Sequence, residues 1–227
     1  MTSINTSSGV AKDIVNKYIR KNMTIGLGSG SAVTQIVKEI GMISIKDSLS
    51  FIPTSLQIGI VAEELNLRIS DDTKINEINI VFDGADQIDS NLYMIKGGGG
   101  ALLKEKIVTS ASPKLVISAD SSKYVKAFTR PIPIEVHKFA RTIVRDKLKQ
   151  IGGRPSLRIM EKGYPFITES SNLIYDTIFE PYENQSKKEN EIKSIPGVIE
   201  VGLFTRRADA YYKSNTDGSF EIIYDRQ

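Results

Sequence analysis

Four consecutive glycines at residues 97–100 are the feature that most constrains how this chain can fold. Glycine loses more backbone entropy on folding than any other residue and adds no side chain to a core, so such a run is not expected inside a helix or a strand. It is expected in a loop, or where the backbone must approach a ligand or another chain closely. The glycines follow Lys96 and precede the sequence ALLKEKI, which is predicted to be helical.

The residues on either side of the glycines include both a cation and a carboxylate. Residues 92–95 (LYMI) are predicted to form a short buried strand, which places Lys96 at its C-terminal end. One arc of the predicted helix combines Leu102, Leu103, Lys106 and Ile107. Glu105 lies outside this arc, and because helical side chains lean toward the N-terminus, it leans toward the glycines. The alternative interpretation is a mobile surface loop followed by a helix with a solvated glutamate.

Strands alternate with helices along the first 130 residues. The apolar runs predict strands at residues 23–27, 49–52, 78–82, 92–95 and 115–118. Helical spacing of apolar residues is found at residues 11–20, 33–40, 60–67 and 101–107. This alternation is typical of a parallel α/β sheet.

A polar or glycine-rich stretch follows each of five predicted strands. The stretches are GSGSA (28–32), PTSLQ (53–57), DGADQID (83–89), KGGGG (96–100) and ADSSK (119–123). In open α/β sheets, ligands bind outside the carboxyl ends of the strands. We therefore expect all five stretches to meet at one edge of the sheet.

The chain changes character after Arg130. Strands are predicted at residues 132–136, 157–160, 173–179 and 197–204, and helices at 138–150 and 185–194. This β-α-β-β-α-β order is that of ferredoxin-like modules. The sequence GGRP at 152–155 predicts a turn, and residues 161–171 a polar loop. Two short strands at 208–212 and 220–224 complete the prediction.

The glycine-rich turn GLGSGSA has the properties of an anion site. It would place backbone N–H groups and a helix N-terminus at one point, with hydroxyls from Ser29 and Ser31. The dinucleotide pattern G-x-G-x-x-G and the Walker pattern are both absent, so a small phosphate fits better than a nucleotide. An ordinary strand–helix turn with a serine cap is the alternative.

Carboxylates and a lysine follow two other strands. Asp83 and Asp86 could hydrogen-bond sugar hydroxyls or transfer protons, and Asp83 is closer to the strand end. An ordinary polar turn remains the alternative for both, and it is the preferred interpretation for Asp89. Lys123 is either a solvated charge or a second cation for a phosphate. The single histidine, His137, is predicted to be structural.

Composition excludes several functional classes. The 227 residues are 40% hydrophobic and 25% charged, with a net charge of +3 and no basic block of the kind that binds nucleic acid. The absence of cysteine excludes disulfides, thiolate metal sites and cysteine nucleophiles. Neither a membrane span nor a signal peptide is evident, so a cytoplasmic protein without membrane or nucleic-acid partners is expected.

The motifs GLGSGSA, PTS, DGADQID, KGGGGALLKEKI, DSSK, GGRP and PGVIEVGLF, in this order, resemble the A type of ribose-5-phosphate isomerase. The resemblance implies an isomerase of the non-oxidative pentose phosphate pathway that interconverts D-ribose 5-phosphate and D-ribulose 5-phosphate without cofactor or metal. It also implies a Rossmann-like parallel-sheet domain, residues 1–130 and 205–227. The same resemblance implies that a smaller ferredoxin-like α+β domain, residues 131–204, is inserted and that it has an oligomerisation role in a homodimer or tetramer.

The resemblance assigns roles to residues that match the family's motifs. It makes Glu105 the catalytic base. The substrate-binding positions are Ser29, Gly30, Ser31, Ala32, Asp83, Gly84, Ala85, Asp86, Lys96, Gly97, Gly98, Gly99 and Lys123. Chemically, Lys96 with glycine N–H groups would stabilise the oxyanion of an enediolate. Asp83 or Asp86 would supply the acid–base group for ring opening.

Two positions depart from the family pattern. Ala32 stands where a threonine is usual, which removes a hydroxyl donor from the phosphate turn. Gln87 stands where a glutamate is usual, which predicts one negative charge fewer near the site. Neither departure touches Glu105 or Lys96, so an active enzyme is expected.

Two other functions compete with isomerisation. A non-catalytic sugar-phosphate sensor on a related fold would keep GSGSA and could lose the base, but Lys96 and Glu105 are both present, and no helix-turn-helix with a basic face is evident. An aminosugar-phosphate isomerase/deaminase would ordinarily need a ring-opening histidine near the sheet edge, and His137 is predicted to lie in the second domain.

Overall fold

The computed structural model describes residues 6–224 of the chain. The ends of the sequence, including the first residues considered for a signal peptide and the last three of segment 205–227, lie outside the described residues. Contacts divide the chain into two units. The larger unit comprises residues up to Ala85, Lys104–Lys123, and residues from Ala208 onward. The smaller unit comprises Asp86–Leu103 and Tyr124–Arg207.

The helices and strands alternate along most of the chain. In chain order they are α1 (Thr6–Tyr18), β1 (Thr24–Leu27), α2 (Ser31–Ile40), β2 (Ser50–Pro53), α3 (Leu56–Glu64), β3 (Ile78–Asp83), β4 (Gln87–Ile88), β5 (Met94–Ile95), α4 (Leu102–Ala111), β6 (Leu115–Asp120), β7 (Ile132–Val136), α5 (Arg141–Gln150), β8 (Gly153–Leu157), β9 (Leu173–Phe179), α6 (Gln185–Lys193), β10 (Val198–Val201), β11 (Leu203–Phe204), β12 (Ala210–Ser214) and β13 (Phe220–Tyr224).

The larger unit is built on a six-stranded sheet in the order β13-β12-β6-β3-β1-β2. All neighbouring pairs are parallel except β12–β13, which is antiparallel. The central strands are almost continuously buried, as expected for a parallel sheet covered on both faces. Helices α1, α2 and α3 contribute to the core of this unit. The Rossmann-like parallel sheet is thereby confirmed.

The third helix begins earlier than predicted. It starts at Leu56 rather than Ile60, because the Ser55 side chain accepts a hydrogen bond from the Ile58 N–H and caps the helix. The PTS stretch therefore ends at a helix N-terminus.

The smaller unit contains an antiparallel sheet in the order β10-β7-β9-β8. With α5 and α6 it has the predicted β-α-β-β-α-β connectivity, and the ferredoxin-like module is confirmed. The second strand of the module was placed wrongly, because the GRP of the predicted turn belongs to β8, where Gly153 pairs with Phe179. Within the predicted turn 152–155, Gly152 alone has a positive φ, at +83°, in the left-handed region that favours glycine.

The strand predicted at residues 92–95 does not belong to the parallel sheet. Strand β5 contains only Met94 and Ile95, and it pairs antiparallel with β4 and β11 in the smaller unit. The strand predicted at residues 197–204 is divided into β10 and β11 at Gly202, whose N–H donates to the Pro133 carbonyl at 2.6 Å. A Cβ on Gly202 would lie 2.3 Å from the Lys96 carbonyl oxygen, so the two backbone segments are too close for any residue but glycine at this position.

The observed division differs from domain boundaries at residues 130 and 204. Residues 86–103 group with the smaller unit because β4 and β5 form a sheet with β11. The chain therefore passes from one unit to the other within DGADQID and again within the helix that carries Glu105. Among the described helices, none is long and apolar enough to cross a bilayer.

Candidate active site

Four of the five polar stretches meet at one edge of the larger unit. Strands β6, β3, β1 and β2 are adjacent and parallel, so the residues that follow their carboxyl ends lie side by side. These residues include Lys123, Asp83, the turn 28–32 and the PTS stretch. The remaining stretch, KGGGG, follows β5 in the smaller unit. The prediction that it lies at this sheet edge was wrong.

The turn after β1 fits tightly against Asp83. The Gly28 N–H donates to the Phe82 carbonyl at 2.8 Å. A Cβ on Gly28 would lie 1.9 Å from Asp83 Oδ1, so only glycine fits here. Gly30 has φ +91° and precedes the first residue of α2, Ser31, without a capping side chain. The backbone N–H groups of the first turn of α2 create a favourable place for an anion.

Hydroxyl groups from two adjacent strand ends meet beside this turn. Ser29 Oγ lies 3.1 Å from Thr54 Oγ1 and 3.0 Å from Ser55 Oγ. Thr54 and Ser55 are buried, and neither was among the predicted site residues, although PTS was recognised as part of the motif set. The close pairing of β1 with β2 is the signal that could have added them.

Ala32, the position in the phosphate turn that departs from the family pattern, lies beside a small cavity. Ala32 is half-buried, and with Ser31 it lines a cavity of about 80 Å³. Further polar lining comes from Ser118, Asp120 and Ser214.

Asp83 is fully buried at the end of β3. Its Oδ1 accepts a hydrogen bond from the Gly84 N–H at 2.7 Å. Gly84 and Ala85 follow in half-buried positions and complete the part of DGAD that belongs to the larger unit. Lys123 ends a short 3-10 turn after β6 and is half-buried.

Glu105 is only 4% exposed, so the interpretation of a solvated surface glutamate is wrong. The buried side of α4 comprises Leu102, Glu105, Val108 and Thr109, at intervals of three and four residues. The predicted apolar arc was also wrong, since Ile107 is 43% exposed. Glu105 lies in the first turn of α4, where the helix dipole favours a carboxylate.

The glycine loop, residues 97–100, is a fixed structure at its base and is exposed at its tip. Lys96 is 4% exposed; its N–H donates to the Gly202 carbonyl, and its Nζ lies 5.5 Å from the centre of the Phe204 ring. Gly97 (φ +102°) and Gly100 (φ +83°) are buried, whereas the other two glycines are exposed. The buried base, comprising Lys96, Gly97 and Gly100, does not match the alternative of a mobile surface loop.

Asp86 contacts this loop directly. Its Oδ2 accepts a hydrogen bond from the Gly98 N–H at 2.7 Å, and a Cβ on Gly98 would lie 2.8 Å from its Oδ1. The Gly100 N–H donates to the Gly97 carbonyl. Two of the glycine N–H groups expected to face an oxyanion therefore have partners within the loop or on Asp86.

Two contacts to the glycine loop were missed by the sequence analysis. Arg158 Nη1 donates to the Gly97 and Gly98 carbonyls at 2.8 and 3.0 Å, and the Phe166 ring packs where a Cβ on Gly100 would lie. Both residues lie about 60 positions farther along the chain, and no local pattern connects them with the loop.

Gln87 has a structural role rather than an electrostatic one. Its Oε1 accepts hydrogen bonds from the Thr129 and Arg130 N–H groups at 2.9 and 3.0 Å, and its Nε2 donates to Thr129 Oγ1 at 2.6 Å. The side chain is buried and joins β4 to the segment that precedes β7. The sequence analysis predicted that Gln87 matters by removing a negative charge near the site. Instead, its amide connects two backbone segments through hydrogen bonds.

Asp89 and His137 also make local structural contacts. Asp89 Oδ1 accepts from the Asn91 and Tyr93 N–H groups at 2.9 Å each, and burial raises the pKa of this carboxyl. His137 Nδ1 accepts from the Phe139 N–H and caps a short turn before α5. Within residues 6–224, no group of three or more His, Asp or Glu side chains is placed to hold a metal ion.

Comparison with known proteins gives consistent matches. The family model described as ribose 5-phosphate isomerase A (phosphoriboisomerase A) matches residues 50–218. Ribose-5-phosphate isomerase A of Methanosarcina acetivorans is 36% identical over 208 residues, which cover 90% of this chain and 88% of that protein.

Two solved structures are similar over nearly the full chain. The ribose 5-phosphate isomerase from Plasmodium falciparum has a TM-score of 0.91 at 33% identity, covering 98% of this chain and 99% of that chain. A D-ribose-5-phosphate isomerase in complex with phospho-erythronic acid has a TM-score of 0.90 at 31% identity, covering 99% and 100%.

Proposed function

The chain belongs to the ribose 5-phosphate isomerase A family, and we propose that it interconverts D-ribose 5-phosphate and D-ribulose 5-phosphate with Glu105 as the proton-transferring base. The reaction is an aldose–ketose isomerisation of the pentose phosphate pathway. It moves a carbonyl between C1 and C2 of the sugar. One carboxylate can remove the proton from one carbon and return it to the other through an enediolate, and no cofactor is needed.

The burial of Glu105 is the observation that carries this proposal. Glutamate side chains are seldom buried, and Glu105 is 4% exposed in the first turn of α4, on the buried side of the helix, as expected for a carboxylate with a role other than surface solvation. Lys96 is the proposed electrophile, because a buried ammonium can stabilise the developing enediolate in a low-dielectric environment.

The phosphate is proposed to bind at the edge of the six-stranded sheet. Ser29, the backbone of Gly30–Ser31–Ala32 and Lys123 are its proposed partners. Support comes from the uncapped N-terminus of α2 and the hydroxyl cluster around Ser29. The complex of a related isomerase with phospho-erythronic acid, a phosphorylated sugar acid, agrees with a substrate of this class.

Ring opening is assigned to Asp83 rather than Asp86. Asp83 is fully buried, which favours a proton-transferring carboxyl, whereas Asp86 is half-buried and holds the Gly98 N–H. Gly84, Ala85, Gly97 and Gly99 are proposed to contribute backbone groups to substrate binding.

Incubation with ribose 5-phosphate tests this function directly. Ketose formation should require the phosphate, so free ribose should be a poor substrate. A sugar-phosphate sensor would bind without turnover, and an aminosugar-phosphate deaminase would release ammonia from its own substrate. Absence of ketose formation from ribose 5-phosphate would contradict the proposal.

We also propose that the chain acts in the cytoplasm as a homodimer or tetramer, with the smaller unit in the subunit contact. Phosphorylated sugars are intracellular metabolites, and this substrate supports the location. Phe139, in the short turn before α5, is 92% exposed, and Ile143, in the first turn of α5, is 54% exposed; covering such side chains favours association. Sedimentation equilibrium of the wild type and of Phe139→Ser tests the assembly, and a monomeric wild type would contradict it.

A further inference from the structure

Arg158 forms hydrogen bonds in two directions within the smaller unit. Its Nε and Nη2 donate to the two carboxylate oxygens of Asp176 at 2.8 and 2.5 Å. Its Nη1 donates to the carbonyls of Gly97 and Gly98. The Arg158 side chain is 15% exposed and that of Asp176 25%, so the pair is shielded from solvent over most of its surface. The planar guanidinium is therefore oriented by a carboxylate on one side and holds the glycine loop on the other.

Phe166 connects the same arginine to the end of the glycine loop. The Phe166 N–H donates to the Arg158 carbonyl at 2.9 Å, and the ring centre lies 5.6 Å from the guanidinium carbon. The ring edge lies where a Cβ on Gly100 would be, at 2.6 Å. Residues near the end of β8 and in the loop that follows it thus contact the glycine loop at both ends.

The direction of the two carbonyls determines the direction of two N–H groups. In a planar trans peptide, the carbonyl of one residue and the N–H of the next point in opposite directions. With the Gly97 carbonyl toward Arg158, the Gly98 N–H points away from it, and this N–H donates to Asp86 at 2.7 Å. By the same geometry, the Gly98 carbonyl on Arg158 directs the Gly99 N–H away from the guanidinium.

We propose that Arg158 is a positioning residue of the isomerisation, which fixes the two peptide planes of the glycine loop and so the direction of the Gly99 N–H. The effect of Arg158 on catalysis rests on the proposed function. The loop follows Lys96 directly, and Lys96 is fixed on its other side by the bond to Gly202. Four glycines without such bonds would sample many conformations, and misplacement by ~1 Å can lower a rate by about 100-fold.

The test compares Arg158→Gln with Arg154→Gln. Arg154 lies on the adjacent strand β8, and its ion pair with Glu180 is exposed, at 66% and 71% of the two side chains. We expect Arg158→Gln to lower kcat by about 10- to 100-fold while KM for ribose 5-phosphate changes by less than about threefold. Amide exchange of residues 97–100 should become faster in this variant. Arg154→Gln should match the wild type in both measurements.

A second variant covers the case in which Arg158→Gln does not fold. Arg158→Lys keeps the charge beside Asp176 but cannot also bind both carbonyls, so it should show a smaller loss of kcat and faster exchange of the loop. Wild-type kcat and wild-type exchange in a folded Arg158 variant would overturn the proposal. If the wild-type protein lacks isomerase activity, the proposed function fails, and the exchange comparison still decides whether Arg158 orders the loop.

Discussion

The sheet edge of the larger unit and the glycine loop of the smaller unit position their candidate residues by different means. At the sheet edge, Asp83 and the turn at Gly28 follow adjacent parallel strands, and their separation is set by strand pairing. In the glycine loop, the backbone is held by side chains from other segments of the chain, including Asp86 before the loop and Arg158 about 60 residues after it. The first arrangement follows from topology, and the second depends on individual hydrogen bonds.

This difference predicts how each region responds to substitution. A substitution at the sheet edge should change only the strand end on which it lies, because the hydrogen bonds between the strands remain in place. A substitution in the glycine loop, or in its partners, changes the conformations available to four glycines. The largest effects are expected where a substitution removes the chemistry itself rather than its support.

Glu105→Gln should have the largest effect of any single substitution. The amide is close in size and shape but cannot accept the proton, and general base catalysis contributes about 10²- to 10⁴-fold to a rate. We expect kcat to fall by at least that factor, with substrate binding retained. Steady-state kinetics and a binding titration measure the two effects. Glu63→Gln, at an exposed position of α3, is the control. A change of kcat below about twofold would contradict the assignment of Glu105.

Alanine at three glycines should separate the two kinds of support. Gly28→Ala places a Cβ 1.9 Å from Asp83 Oδ1, and Gly100→Ala places one 2.6 Å from Phe166 at φ +83°. Each should lower activity by roughly tenfold or more, and the left-handed conformation of Gly100 alone costs about 1–2 kcal/mol of stability for alanine. Gly99→Ala meets nothing within 4 Å and should leave stability unchanged. Thermal unfolding measures the stability of the three variants, and steady-state kinetics measure their kcat. Equal stability of Gly99→Ala and Gly100→Ala would contradict the strain expected at Gly100.

Lys123→Ala should affect binding more than turnover. Loss of one charge-assisted hydrogen bond to phosphate costs about 1.5–3 kcal/mol, so KM should rise by roughly tenfold or more. The effect on kcat should be smaller, because the phosphate is remote from C1 and C2 of the sugar. Lys126→Ala, at an exposed position three residues later, is the control. A fall in kcat with unchanged KM would remove Lys123 from the phosphate site.

Excess EDTA should have no effect on the rate. Lys96 is proposed to stabilise the enediolate, and among the described residues no cluster of metal-ligating side chains is present. The rate is measured before and after dialysis against the chelator. Loss of turnover that a divalent ion restores would contradict the proposed role of Lys96.

The sheet edge was largely predictable from the sequence. Continuous apolar runs predict buried strands, and the polar stretches after them predict one functional edge. This succeeded for GSGSA, PTS, the first three residues of DGAD and the lysine at 123, since all four lie at the ends of adjacent strands of the parallel sheet. It failed for KGGGG, because the two-residue strand β5 pairs with β4 and β11 instead.

The support of the glycine loop was not predictable from local pattern. Arg158 and Phe166 reach the loop through tertiary contacts that no spacing rule connects. The buried face of α4 was also predicted wrongly, because periodicity placed Ile107 on the apolar arc and Glu105 outside it, whereas Ile107 is 43% exposed and Glu105 is buried. A buried carboxylate departs from the hydrophobic pattern, and such departures are concentrated at functional sites.

Hydrogen exchange at C2 of the substrate tests the role of Glu105 most directly. The wild-type protein is incubated with ribose 5-phosphate in deuterated water, and deuterium at C2 of the recovered aldose is measured by NMR. If Glu105 carries the proton between C1 and C2, the wild type should incorporate deuterium and Glu105→Gln should not. Incorporation by Glu105→Gln at the wild-type rate would contradict the account and would make Asp83 the next candidate for the base.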